Sequence, residues 1–147
     1  MADAPKRSAR RHARQIALQA LYEHDAIHHQ VGTTVDRLSQ AAPLSGESAD
    51  LARSLVAGVV ANLPAIDDLI AAAAPTWPLA QMARVDKNVL RLAIYESFMD
   101  NAAVPPRAAI NDAIELAKMF GADSSVKFVN GVLATIAERR PRRGGTS

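Results

Sequence analysis

Four arginines near the start of the chain have the spacing to act together. Arg7, Arg10, Arg11 and Arg14 are separated by three, one and three residues. On a helix turning about 100° per residue, Arg7, Arg11 and Arg14 share one stripe and Arg10 lies beside it. Guanidinium groups held this close repel one another, and an anion set against them offsets that repulsion. The stripe therefore offers the chemistry of binding rather than of bond-breaking. The other reactive side chains do not assemble a reaction centre. His28 and His29 are adjacent, so they do not share a helix face as zinc ligands would. Asp67 beside Asp68, and Asp112 three residues before Glu115, are carboxylate pairs of the kind a solvated helix face carries. The chain has no Gly-rich phosphate loop, no GxSxG, no HExxH and no cysteine. Nothing brings a nucleophile, a base and an oxyanion site together. The expectation is a protein without catalytic residues, bound metal or cofactor.

These arginines sit in a chain of 147 residues whose net charge is only +2. The balance is uneven. From Ala4 to Tyr22 there are five basic residues and no acid, and after Glu138 come Arg139, Arg140, Arg142 and Arg143. Between them, Ile16 to Ala137 holds eight basic and thirteen acidic residues. Basic ends on an acidic body point to a polyanion partner or to solvated tails. Apolar residues make up 49 % of the chain, but thirty of them are alanine, and aromatics are only 4 %. That mix favours helices and speaks against a β-sandwich or barrel. Charged residues at 22 % with so small a net charge speak against wholesale disorder. No apolar run approaches the roughly 18–20 residues that cross a bilayer. No apolar segment follows the N-terminal basic residues as it would in a secretory signal. A cytoplasmic protein with no membrane partner is expected.

The elements that would position the arginines are helical. Apolar residues Ala13, Ile16, Ala17, Ala20 and Leu21, with His24, follow the i, i+3, i+4 rule and predict a helix from about Arg7 to His28, with Ser8 as a cap. A short helix is expected from Thr33 or Thr34 to about Gln40, then a loop through Gly46. Ser45 or Ser48 can start the next helix, carrying Leu51, Leu55, Val56, Val59 and Val60. Asn62 and Pro64 start another, unless the two are one helix kinked at the proline. Pro75, Trp77 and Pro78 end it, and a turn follows through Gln81. Asp86 is the expected cap of a helix reaching about Asp100, with Val89, Leu90, Leu92, Ala93, Ile94 and Phe98 inside. Pro105 and Pro106 open a helix that ends at Phe120, where Gly121 fits the left-handed position. Ser124 or Ser125 caps the last helix, which carries Val126, Val129, Leu133 and Ile136 and stops before Pro141. Gly131 in its middle suggests close approach of a neighbouring helix. The fold class is all-α, a compact bundle of about seven helices. Residues 1–6 form a flexible leader, 7–140 a single domain and 141–147 a basic disordered tail.

Three segments narrow the reading. The first helix reads ARRHARQIALQALYEHD. From Arg84 the chain reads RVDKNVLRLAIYESFMD, and from Val104 VPPRAAINDAIELAKMFGADSSVKFVNGVLATI. In this order and near these spacings they closely resemble the NusB family of transcription antitermination factors, over about two-thirds of the chain. The resemblance implies an all-α fold of two small three-helix subbundles. It implies binding of single-stranded boxA RNA as a heterodimer with NusE, a small-ribosomal-subunit protein. The pair would support an RNA polymerase antitermination complex over ribosomal RNA operons. The same fold forms the N-terminal domain of some ribosomal RNA cytosine methyltransferases, but a methyltransferase domain is not expected in a chain that ends shortly after Arg143.

By this resemblance Arg7, Arg10, Arg11 and Arg14 match the family's arginine-rich first helix. His12 departs from an all-Arg run, which weakens phosphate binding or makes it pH-dependent. Guanidinium forks suit phosphate and also stack on unpaired bases. Lys127, Phe128 and Asn130 belong to the KFVNGVL motif, and together they supply a cation, a ring and an amide for a single strand. Phe128 either stacks on RNA or packs in the core, and Asn130 either reads a base edge or makes a structural hydrogen bond. Ser124 and Ser125 stand at a helix N-terminus that favours an anion. Lys87, in the family's VDK-like position, faces the same RNA. Tyr22 lies near the surface that docks NusE, and that surface favours a homodimer when the protein is free. The competing reading is a protein-interaction bundle that does not touch RNA.

Overall fold

The computed structural model describes residues 7–27, 35–37, 46–99 and 104–139. The expected leader 1–6, His28, His29 and the tail 141–147 lie outside the described residues, as do the caps expected at Thr33, Thr34 and Ser45. Backbone contacts divide the chain into two units, Met1–Ala61 and Asn62–Ser147. All regular structure among the described residues is helical.

The first unit holds α1 (Arg7–Ile27), a helical segment at 35–37 and α2 (Gly46–Ala61). α1 packs against α2. The apolar positions read from the sequence, Ala13, Ile16, Ala17, Ala20 and Leu21, are buried together with Leu18. From α2 come Ala49, Ala52, Leu55, Val56 and Val59. Alanine at the contact positions of both helices keeps the filling side chains small, which fits a chain with few aromatics. The Ser48 hydroxyl donates to the Ala9 carbonyl at 3.3 Å, so this serine joins α2 to α1 from inside the helix rather than capping it. Ser8 likewise lies within α1 and not before it. Ion pairs fasten the segment at 35–37. Arg37 meets Glu23 at 2.6 Å, and Arg53 meets Asp36 at 2.7 Å and Asp50 at 3.1 Å. The Asp36 hydrogen bond pushes the Arg53 guanidinium further above its usual range. Exposed pairs of this kind are screened by solvent and contribute little to stability.

The second unit runs α3 (Leu63–Ala73), a 3-10 turn (Leu79–Gln81), α4 (Arg84–Ile94), a π-helical turn (Tyr95–Met99), α5 (Pro106–Phe120) and α6 (Ser125–Arg139). Asn62 stands at the cap position of α3 with proline in the first turn, as its sequence predicts, but its side chain makes no capping hydrogen bond, and α3 is a separate helix from α2. Pro105 and Pro106 open α5. α4 packs against α3, α5 and α6. Its residues from Asn88 to Ile94 are all buried, the apolar ones among them as expected.

A helix buried on all sides must place its polar residues somewhere, and α4 does so with a network. Arg91 keeps only 7 % of its surface exposed. Its Nε and Nη2 donate to the two carboxylate oxygens of Asp67 on α3, each at 2.9 Å. Its Nη1 donates to Asn88 Oδ1 at 3.1 Å, and Asn88 Nδ2 donates to the Arg84 carbonyl at 2.9 Å. A forked, hydrogen-bonded pair satisfies the buried charge. Asp67 is therefore the anchor of a structural ion pair and does not lie on a solvated face as expected, while Asp68 is exposed.

Four further local expectations are corrected. Asp86 does not cap α4. The helix begins two residues earlier, with Ala83 at the cap position and no side-chain cap, and the Lys87 N–H donates to the Ala83 carbonyl at 3.0 Å. Asp86 sits inside the first turn, 8 % exposed, where an acid still suits the helix dipole. Gly121 is extended, with φ −94° and ψ −177°, not left-handed. Space explains it: a Cβ there would stand 2.5 Å from Ser125 Oγ and 2.7 Å from the Ala117 carbonyl oxygen. Gly131 faces no neighbouring helix, since a Cβ built on it meets nothing within 4 Å. The helix expected to reach Asp100 also changes character, widening to a π turn at Tyr95 that buries Glu96 and Ser97.

Candidate nucleic-acid interface

In the first unit, α1 separates its arginines by depth. Arg11 and His12 are exposed, Arg10 is half-buried and Arg14 is buried, with 7 % exposed. The Arg14 position explains its burial. Ala17, Leu18 and Leu21 follow it at i+3, i+4 and i+7, and all three are buried, so Arg14 lies on the packed side. Arg7 opens the helix, but its side chain is outside the described residues. From Arg11 the open arc of α1 continues through Gln19 to Tyr22, which is 40 % exposed.

In the second unit, the N-terminal half of α6 carries the other set. Ser124, Lys127 and Asn130 are exposed, at successive intervals of three, with Gly131 beside them, and so share one open helix face. Asn130 thus stands in solvent and not in the core. Phe128 is half-buried, and its ring pairs with Trp77 at a centroid distance of 6.4 Å and a tilt of 54°. Ser125 is buried and its hydroxyl is occupied. Ser125 Oγ accepts the Ala122 N–H at 2.9 Å while its own N–H donates to the Ala122 carbonyl at 3.0 Å. This reciprocal pair fixes the turn between α5 and α6. Lys87 is half-buried in the first turn of α4. Among the described residues no group of three or more His, Asp or Glu could hold a metal ion.

The chemistry on offer is cationic and amide donors beside a ring, which suits phosphate and base recognition. Residues 11–138 match the model of the NusB family. The chain belongs to the NusB family. A transcription antitermination protein NusB of Herpetosiphon aurantiacus is 46 % identical over 134 residues, covering 90 % of this chain and 92 % of its own. The structure of T. maritima NusB superposes with a TM-score of 0.79 at 33 % identity and covers 94 % of each chain. A chain in the crystal structure of antitermination factors NusB and NusE in complex with double-stranded RNA superposes with a TM-score of 0.82 at 25 % identity. That match covers 92 % of this chain and all of the other.

The NusB match begins at residue 11, so Arg11 and Arg14 fall inside it while Arg7 and Arg10 stand just before it. Two features of the second unit were not legible as such. Trp77 reads in the sequence only as part of a helix stop, and its pairing with Phe128 appears only in the fold. The Arg91–Asp67–Asn88 network carries no local mark beyond polar residues in an apolar run.

Proposed function

We propose that the protein is a non-catalytic RNA-binding transcription antitermination factor. It recognises boxA RNA together with NusE and supports processive transcription of ribosomal RNA operons by RNA polymerase, in the cytoplasm where transcripts emerge. The observation that carries this reading is the likeness, over 92 % of this chain, to a chain in a structure of NusB and NusE with double-stranded RNA. The residue chemistry supports it from each unit. The first offers Arg10 and Arg11 to phosphate and Tyr22 to NusE. The second offers Ser124, Lys127, Phe128 and Asn130 to a strand, and Lys87 as a further cation. Identity of 46 % to a relative named transcription antitermination protein NusB favours this over a methyltransferase's N-terminal domain.

The test is the salt dependence of RNA binding. Each neutralised phosphate contributes about −0.7 to the log–log slope for a single strand. Replacing Arg10 and Arg11 with Ala together is expected to weaken binding and to flatten that slope by about 0.7 for each phosphate no longer neutralised. Helical content and NusE binding stay unchanged. An RNA affinity and slope equal to wild type would remove these arginines from the interface. An absence of RNA binding by the wild-type protein even at low salt would leave the interaction-only bundle.

A further inference from the structure

Trp77 is the single tryptophan of the chain, and 52 % of its surface is exposed. Tryptophan is ordinarily well buried, and an exposed indole is an unfavourable use of the largest apolar side chain. Its backbone is held in place. Pro75 and Pro78 flank it, its N–H donates to the Ala74 carbonyl at 3.1 Å, and the Pro78 carbonyl accepts the Gln81 N–H at 2.9 Å. The residue before a proline is confined to extended conformations. One side of the indole leans on Phe128 at 6.4 Å, inside the range of tilted aromatic pairs. An exposed ring with a fixed backbone and a supporting ring behind it is a stacking platform that loses little entropy on binding.

We propose that Trp77 is a base-stacking residue, taking an unpaired base of single-stranded RNA on its open face, with Phe128 as its support. The proposal rests on the RNA-binding reading above and adds to it a residue outside the basic helix and the KFVNGVL motif. A base is favoured as occupant because exposed Ser124 stands one turn before both exposed Lys127 and Phe128, the ring that supports Trp77, so a hydroxyl and a cation border the same side of α6. An aromatic platform bordered by a cation and a hydroxyl matches the demands of a strand with splayed bases. A duplex, whose bases are already stacked, would not use the platform.

With one tryptophan in the chain, its fluorescence reports on this position alone. The full-length protein would be titrated with a single-stranded RNA of about 12 nucleotides, following Trp77 emission and, in parallel, binding by gel shift. Quenching that saturates together with the gel shift is expected, and quenching should be much reduced with an abasic strand of equal charge. Trp77→Ala is expected to weaken binding about 5- to 100-fold, with Trp77→Phe restoring most of it. RNA binding with unchanged emission and full affinity of Trp77→Ala would overturn the stacking role while leaving the RNA reading intact. Quenching by NusE alone, with none added by RNA, would assign the ring to a protein contact and overturn it too. Absence of any RNA binding would remove both.

Discussion

At the residue scale, depth separates side chains that the sequence places together. Arg11 and Arg14 lie on one stripe by spacing, yet Arg11 is open and Arg14 is packed above Ala17, Leu18 and Leu21. Helical periodicity gives the angle between residues but not how wide an arc the neighbouring helix covers. Gly131 is the opposite case. The sequence suggests a tight contact there, while the structure places it on an open face with the Thr135 hydroxyl donating to its carbonyl at 2.9 Å. Gly131→Ala is therefore expected to stabilise the protein by about 1 kcal/mol through helix propensity alone. Denaturant unfolding would show a higher midpoint, and a lower one would mean that the glycine is needed for packing. Arg91 carries the reverse prediction. Arg91→Ala leaves the Asp67 carboxylate without its forked partner and is expected to cost about 3 kcal/mol. Unfolding free energies close to wild type would show that the α3–α4 network contributes little.

At the element scale, helices announced by period and proline were legible. α1 follows its apolar stripe, α3 starts where Asn62 and Pro64 say it should, and α5 starts at its proline pair. The start of α4 was not, because Ala83 makes no side-chain cap and Asp86 looks like one. The π turn at Tyr95–Met99 has no sequence mark, since inserting a residue into a helical turn is settled by the packing around it. The turn from α5 to α6 depends on atoms the sequence does show, but in a conformation it does not. Gly121 is required there for space beside Ser125 and Ala117, although its φ is one any residue can adopt. Gly121→Ala is expected to lower stability by about 1–3 kcal/mol through overpacking, read as a drop in Tm. An unchanged Tm would show that Ser125 can yield, and Ser125→Ala in the same background would then be neutral.

At the scale of the whole molecule, the near-neutral charge conceals the polarity that matters. Along the chain a basic first helix and a basic end flank an acidic middle, and the exposed groups on α1 and α6 are of the types that suit phosphate and bases. Family membership was legible because the motifs recur in order along the chain, and the match over residues 11–138 bears that out. The proposed partner surfaces rest on that resemblance alone, since nothing in the spacing of Tyr22 names a protein. Joint binding of RNA and NusE is central to the proposed function. It is tested most directly by titrating boxA RNA, a scrambled strand and the boxA duplex against the protein at fixed salt, with and without NusE. The predicted result is tighter binding of single-stranded boxA when NusE is present and weaker binding of the scrambled strand. Equal affinity for all three RNAs, unmoved by NusE, would contradict it.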